Sequence, residues 1–192
     1  MEIKRVQAGV LEIGYFEAGP ADGPVVMLMH GFPYDAHCYV EVMEQLAAQG
    51  VRSIAPFLRG YGPTRFLSET TPRSGEQAAL GADLVALMDA LSIEQATLAG
   101  FDWGGRAACI VDAQSPERKT GYVRSGVGNP IHNIARANDP MPAEEHGRYW
   151  YIYLFLTEAG RASLAYDPLG FCKYIWSRWS PGWAFDGATY DL

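Results

Sequence analysis

A short apolar strand that runs into a glycine-rich turn is the feature that most constrains this chain. Residues 96–99 are apolar or β-branched, and residues 106–111 have a helical pattern. Strand, sharp turn and helix are therefore predicted in that order. The turn reads Gly100-Phe101-Asp102-Trp103-Gly104-Gly105. Its glycines let Asp102 adopt a strained backbone conformation and project above the sheet, because larger side chains would collide with the turn.

Two roles fit Asp102. It could cap the following helix, which is a common role for aspartate. It could also be a nucleophile, because the partial positive charge at a helix N-terminus favours an ionised carboxylate. A second apolar strand also runs into a glycine-containing turn, at Met27-Leu28-Met29-His30-Gly31-Phe32-Pro33. The pairing of the two turns favours the nucleophile.

Strand and helix patterns alternate along the first 127 residues. The predicted strands, of which the first two form a hairpin, are residues 3–8, 11–16, 25–29, 51–57, 96–99 and 122–127. Apolar residues between Tyr39 and Ala47 have helical spacing, and residues 74–77 resemble a capping box that opens another helix. This alternation predicts an α/β fold with a mainly parallel, doubly wound sheet.

Composition and charge narrow the class of protein further. Of the 192 residues, 48% are hydrophobic and 19% are charged, which suits a globular core. The net charge of −7 argues against nucleic acid or an anionic membrane as a partner. The sequence has neither a signal-peptide core nor an apolar stretch long enough to span a bilayer, so a cytoplasmic location is expected. Its three cysteines and four histidines are dispersed, and no metal site or cofactor is predicted.

Three motifs together resemble the α/β-hydrolase superfamily, in its epoxide hydrolase and haloalkane dehalogenase branch. They are the His30–Pro33 turn, the segment Arg59-Gly60-Tyr61-Gly62-Pro63-Thr64 and the Gly100–Gly105 elbow, in the order and spacing of that branch. Aromatic residues at helical spacing beyond about residue 135 predict short helices. The resemblance implies an α/β-hydrolase core over residues 1–135 and part of a helical cap domain over residues 136–192.

The resemblance also implies roles for the residues of both turns. The backbone N–H groups of Phe32 and Trp103 would form an oxyanion hole, and Pro33 would shape the first turn. His30 would be a structural residue of that turn, because the family places its catalytic base near the C-terminus. The remaining positions of the structural motifs are Gly31, Gly100 and Gly104.

An aspartate nucleophile suits reactions at a saturated carbon. A serine would leave an ether there, whereas an aspartate leaves an ester that water and a histidine base can hydrolyse through a tetrahedral oxyanion. If the substrate is an epoxide, its oxygen needs a proton donor. By resemblance this donor is Tyr151, in the segment Tyr-Ile-Tyr-Leu-Phe, with Tyr153 as the competing alignment. Trp150 and Arg106 are further candidates for lining the substrate pocket.

Dehalogenase activity is the alternative to epoxide hydrolysis. Trp103 matches a tryptophan that holds halide in dehalogenases, although epoxide hydrolases also have it. Many haloalkane dehalogenases have a halide-binding asparagine at the position of Phe32, which cannot perform that role. Haloacetate dehalogenases hold the substrate carboxylate with two arginines. This chain has Arg106 at the second of these positions, but Trp103 occupies the first. We therefore rank epoxides first, haloalkanes second and haloacids third.

The end of the chain leaves two hypotheses open. In the family, an acid and then a histidine follow the cap, whereas this sequence stops at Asp191-Leu192, within the predicted cap. His132 and His146 follow the elbow without matching the position of the base. The preferred hypothesis is a piece of a longer hydrolase that lacks its last strands, acid and base. The other is a non-catalytic binding protein whose open sheet edge is covered by a second copy or another partner.

Overall fold

The fold is built around a seven-stranded sheet. The computed structural model describes residues 1–125 and 139–190. Its strands are β1 (Lys4–Ala8), β2 (Leu11–Ala18), β3 (Val25–Met29), β4 (Arg52–Pro56), β5 (Arg65–Phe66), β6 (Ala96–Phe101) and β7 (Lys119–Ser125). The helices are α1 (Val40–Ala48), α2 (Gln77–Ala90), α3 (Asp102–Gln114), α4 (Ala143–Arg148), α5 (Trp150–Phe155), α6 (Glu158–Tyr166), α7 (Pro168–Trp179) and α8 (Gly187–Tyr190). Short 3₁₀ turns cover Ala36–Tyr39 and Pro116–Arg118.

The order of the strands brings the two predicted turns together. The sheet runs β1-β2-β4-β3-β6-β7, and β5 pairs with β2. Strand β2 is antiparallel to β1, β4 and β5, while β3 is parallel to β4 and β6, and β6 is parallel to β7. Met29, which ends β3, lies opposite Gly100 of β6. The turns that follow these neighbouring parallel strands therefore lie at the same edge of the sheet.

Each face of the sheet packs against its own helices. Met27 and Met29 of β3 are buried with side chains of α2 and α3, including Leu84 and Val111. Leu28, which points to the opposite face, is buried with Met43 of α1 and with side chains of β2 and β4. The predicted mainly parallel, doubly wound sheet is thus confirmed.

The local predictions are confirmed for β3 and are wrong at the start of α2. The bounds of β3 match the predicted range, whereas α2 begins at Gln77 and its N-cap, Glu76, makes no side-chain capping bond. Ser74 is therefore not the N-cap of this helix, and its Oγ accepts a hydrogen bond from the Glu76 N–H at 3.2 Å. The short strand β5 was not predicted.

The Arg59–Thr64 segment fastens the loop after β4 to its neighbours. The Arg59 guanidinium donates two 2.6 Å hydrogen bonds to the Asp83 carboxylate of α2 and a third bond to the Ser74 carbonyl at 2.7 Å. Burial raises the pKa of Asp83, and the charge of Arg59 opposes that rise. Thr64 Oγ1 donates to the Phe57 carbonyl at 2.7 Å and accepts from the Gly14 N–H of β2 at 3.1 Å.

The chain divides into two compact units, Met1–His132 and Asn133–Leu192. The second unit contains α4 to α8, so the short helices expected beyond residue 135 are observed. Its assignment as a cap, with a boundary at 135/136, stays a prediction. His132 and the predicted end of the last strand at 126–127 lie outside the described residues. Within 1–125 and 139–190, no helix has both the length and the apolar character needed to cross a membrane.

Candidate active site

Asp102 occupies a strained position at the junction of β6 and α3. Its φ is 49°, in the left-handed region that residues other than glycine rarely adopt. Such a conformation costs about 1–3 kcal/mol and persists only where the surrounding structure imposes it. The residue is exposed, and its carboxylate lies at the positive end of the α3 dipole.

Glycines allow the two turns to touch. A Cβ atom added at Gly104 would overlap the carbonyl oxygen of Met29, and one added at Gly31 would lie 2.5 Å from the Asp102 Cβ. A Cβ at Gly100 would lie 2.8 Å from the carbonyl carbon of Gly104. Larger residues at these three positions would force the backbone apart, so the glycines bring the end of β3 against the first turn of α3.

The Phe32 N–H holds one oxygen of the Asp102 carboxylate. It donates to Asp102 Oδ1 at 2.9 Å. The Tyr34 N–H donates to the Gly31 carbonyl at 2.9 Å and closes the turn that presents Phe32. The second predicted donor, the Trp103 N–H, belongs to the first turn of α3, where backbone N–H groups point out of the helix end. A negative charge that develops on Oδ1 would therefore be stabilised by a donor that is already in place.

His30 ties the first turn to the loop after β4. The side chain is fully buried, and the Leu58 N–H donates to His30 Nε2 at 3.1 Å. His30 Nδ1 lies 3.2 Å from the Gly31 carbonyl, so these partners assign the hydrogen to Nδ1. Burial lowers the pKa of His30 to about 4. Both ring nitrogens are engaged by the backbone, which is the arrangement expected of a structural residue.

Trp103 and Arg106 form a pair on α3. The Arg106 guanidinium carbon lies 4.5 Å from the centre of a Trp103 ring, in cation–π geometry. The indole also packs against the core cluster beneath the sheet. Trp103 and Arg106 therefore both lie in the first two turns of α3, the helix that begins at Asp102.

The remaining candidates lie in the second unit, on α5. Tyr153 is 45% exposed, and its hydroxyl is 3.1 Å from Nδ1 of His146. The Tyr151 ring meets the Trp179 ring edge-on, with centroids 5.3 Å apart, and Trp150 lies 6.0 Å from Phe171. These contacts describe the second unit alone, so the roles assigned to the three aromatic residues stay predictions.

Sequence reasoning missed an aromatic group around the residue that precedes Asp102. The Phe101 ring lies 5.7 Å from that of Tyr34 and 5.9 Å from that of Tyr39, measured between centroids. The signal available was the presence of two tyrosines shortly after the first turn and a phenylalanine inside the second.

Among residues 1–125 and 139–190, no cluster of histidine, cysteine and carboxylate side chains could hold a metal ion.

Comparison with known proteins identifies the family. A family model described as alpha/beta hydrolase fold matches residues 24–169. The chain therefore belongs to the α/β-hydrolase family. A crystal structure from Klebsiella pneumoniae, of a protein provisionally described as an epoxide hydrolase, is 46% identical with a TM-score of 0.94 and covers 99% of this chain.

Two curated relatives resemble the chain over shorter segments. An epoxide hydrolase of Caballeronia sordidicola is 35% identical over 133 residues, which are 69% of this chain. A haloalkane dehalogenase of Mycobacterium marinum is 34% identical over 134 residues, or 68% of the chain. The chain spans 39% and 42% of the lengths of these two relatives and 63% of the Klebsiella structure.

Proposed function

We propose that Asp102 is the nucleophile of a hydrolase that acts at saturated carbon, with epoxides as the leading substrate class. The observation that carries the proposal is the left-handed Asp102 at the start of α3, with its Oδ1 already bound by the Phe32 N–H at 2.9 Å. If Asp102 only capped α3, it would not need a hydrogen-bond donor from the turn that follows β3. The resemblance to proteins named epoxide hydrolases supports the substrate class.

The geometry suggests which carboxylate oxygen reacts. Because Phe32 binds Oδ1, the lone pairs of Oδ2 attack the epoxide carbon. A new C–O bond forms, the epoxide C–O bond breaks, and its electron pair stays on the departing oxygen. That oxygen takes a proton and becomes the hydroxyl of a hydroxyalkyl ester. Hydrolysis of the ester requires a base that takes a proton from water as the water oxygen attacks the ester carbonyl, and the resulting oxyanion occupies the position of Oδ1. When this intermediate collapses, the bond between Cγ and Oδ2 breaks, and the diol leaves with Oδ2 and takes up a proton.

The proton for the departing oxygen is assigned to Tyr151, with Tyr153 as the alternative. A phenol is a suitable donor because it is protonated at neutral pH. Tyr153 already shares a hydrogen bond with His146, so its substitution also breaks that pair. Phenylalanine substitutions at the two positions therefore discriminate between the assignments.

Intact mass measurement with styrene oxide tests the nucleophile. The wild-type chain should gain one equivalent of the epoxide, which peptide mapping should locate on Asp102. Asp102→Asn is the matched control, because the amide oxygen can still accept from Phe32 N–H but the side chain cannot attack. Labelling at another residue, or equal labelling of Asp102→Asn, would refute the proposal.

The fate of the ester reports on the base. His30 has both nitrogens engaged by the backbone, and His132 lies outside the described residues. If no histidine of the 192-residue polypeptide acts as the base, the ester will accumulate. If one of them does, diol will form with many turnovers. A time course of both species distinguishes these outcomes.

Haloalkane dehalogenation is the second candidate. It is favoured by Trp103, which directly follows Asp102, and by the similarity to the Mycobacterium marinum enzyme. Diol from styrene oxide without halide from a chloroalkane would exclude it. A haloacid substrate rests on Arg106 alone, whose guanidinium lies over Trp103. A purely non-catalytic role is not favoured, since the relatives are named as enzymes, an epoxide hydrolase and a haloalkane dehalogenase. Dimerisation stays a prediction that light scattering can test.

A further inference from the structure

Tyr39 contacts both strands that carry the active-site turns, although it lies outside the catalytic motifs. It ends the 3₁₀ turn that precedes α1. Its hydroxyl donates to the Met29 carbonyl oxygen at 3.0 Å, and its ring lies against that of Phe101. Met29 is the last residue of β3, and Phe101 is the last residue of β6. One side chain therefore touches both strands where their turns begin.

The Met29 carbonyl is a sensitive place for such a contact. A Cβ at Gly104 would overlap this same oxygen, so the carbonyl already abuts the first turn of α3. The chain passes from Met29 through two residues to Phe32, whose N–H is bound to Asp102. Any shift of the end of β3 would therefore change either the position of Phe32 or the packing of the elbow.

The Phe101 ring contacts two tyrosine rings. Tyr34 meets its ring nearly edge-on, at an interplanar angle of 78°, and Tyr39 packs against it with an angle of 55°. Since Phe101 immediately precedes Asp102, these rings restrict the backbone just before the left-handed residue. Burial raises the pKa of Tyr39, so the phenol remains a hydrogen-bond donor at neutral pH.

We infer that Tyr39 is a positioning residue, which keeps the Phe32 N–H on Asp102 Oδ1 by fixing the ends of β3 and β6. It does not touch the reacting atoms. Its effect on the reaction rate rests on the proposed function, whereas its effect on the Phe32–Asp102 hydrogen bond does not. The two consequences can be measured separately.

The test is Tyr39→Phe, which removes the hydroxyl and keeps the ring. Loss of one partly buried hydrogen bond corresponds to about a 5–10-fold change in an equilibrium or a rate. We expect amide hydrogen exchange at Phe32, followed by NMR, to accelerate by about that factor. Alkylation of Asp102 by styrene oxide should slow by about the same factor, while the epoxide concentration at half-maximal rate stays unchanged.

Ile93→Val is the matched control. Ile93 is buried just before the amino end of β6, at the opposite edge of the sheet from the elbow. Loss of its methyl group should lower stability as much as loss of a hydrogen bond does, without changing Phe32 exchange or alkylation.

The outcomes separate the two claims. Unchanged exchange at Phe32 in Tyr39→Phe, or equal acceleration in Ile93→Val, would overturn the inference. If exchange accelerates only in Tyr39→Phe and even the wild-type chain is not alkylated, the positioning of Phe32 stands and the proposed nucleophile is wrong.

Discussion

The elbow and helix α5 carry the two groups of candidate residues, and they are built in different ways. At the elbow, glycines let backbone meet backbone, and a backbone N–H holds Asp102. On α5, the tyrosines are placed by ring contacts and by one exposed hydrogen bond to His146. The comparison teaches that an arrangement built from the backbone leaves a sequence motif with one alignment, whereas the side-chain contacts of α5 leave Tyr151 and Tyr153 as competing alignments.

The largest predicted effect concerns the backbone contact at the elbow. Gly104→Ala should cost more than about 3 kcal/mol of unfolding free energy, because the new methyl group would overlap the Met29 carbonyl, which cannot rotate away. Gly147→Ala is the matched control in the second unit. Its Cβ would meet nothing within 4 Å inside α4, so it should stabilise by about 0.5–1 kcal/mol. Urea denaturation of both variants measures the contrast, and equal midpoints would contradict it.

The buried His30 predicts a pH dependence of the free energy of unfolding. The pKa of His30 falls from 6.5 to about 4 on folding, so only the unfolded chain takes up the proton between these values. Its contribution is complete above pH 6.5 and is lost as the pH falls to about 4, by about 3 kcal/mol.

The variant His30→Gln tests this linkage. Glutamine can still accept from the Leu58 N–H but does not titrate, so the stability of the variant should fall less steeply between pH 6.5 and 4. Denaturant titrations at several pH values provide the measurement, and identical slopes for the wild type and His30→Gln would rule out the predicted role of His30.

A smaller effect should separate the two tyrosines of α5. Tyr151→Phe should slow alkylation by styrene oxide about 100-fold, because a general acid contributes at least that factor, whereas Tyr153→Phe should change it little. A chloroalkane needs no proton for its leaving group, so its reaction should be insensitive to Tyr151→Phe. Slow epoxide alkylation in Tyr153→Phe alone would reverse the assignment. Both variants should change stability by less than about 0.5 kcal/mol.

Sequence patterns predicted the main strands and helices of the sheet, because apolar periodicity and the positions of glycines determine the local backbone conformation. The range of β3 and the junction of β6 with α3 follow from apolar runs that lead into glycine-containing turns. The start of α2 was predicted too early, because Ser74 Oγ accepts from the Glu76 N–H in the turn that precedes the helix. Strand β5 has two residues and forms only through its pairing with Leu11 and Glu12. No local sequence pattern predicts such a strand.

The sequence predicted the residues of the candidate site that lie in the glycine-containing turns, but not the residue that contacts both strands. The motif identified Asp102 and Phe32, since their geometry is imposed by neighbouring glycines. It could not identify Tyr39, whose hydroxyl reaches a carbonyl ten positions earlier in the chain and whose ring meets Phe101. Such contacts depend on the order of strands in the sheet, which is a property of the whole fold.

The hydroxyl of Thr64 limits which residues can replace it. One oxygen serves as a donor to the Phe57 carbonyl and as an acceptor for the Gly14 N–H, inside a region where the side chain is 3% exposed. Serine supplies the same pair of bonds, while valine has the shape of threonine but can form neither bond. Serine should therefore be able to replace threonine at this position, whereas valine should leave both the Phe57 carbonyl and the Gly14 N–H without this partner.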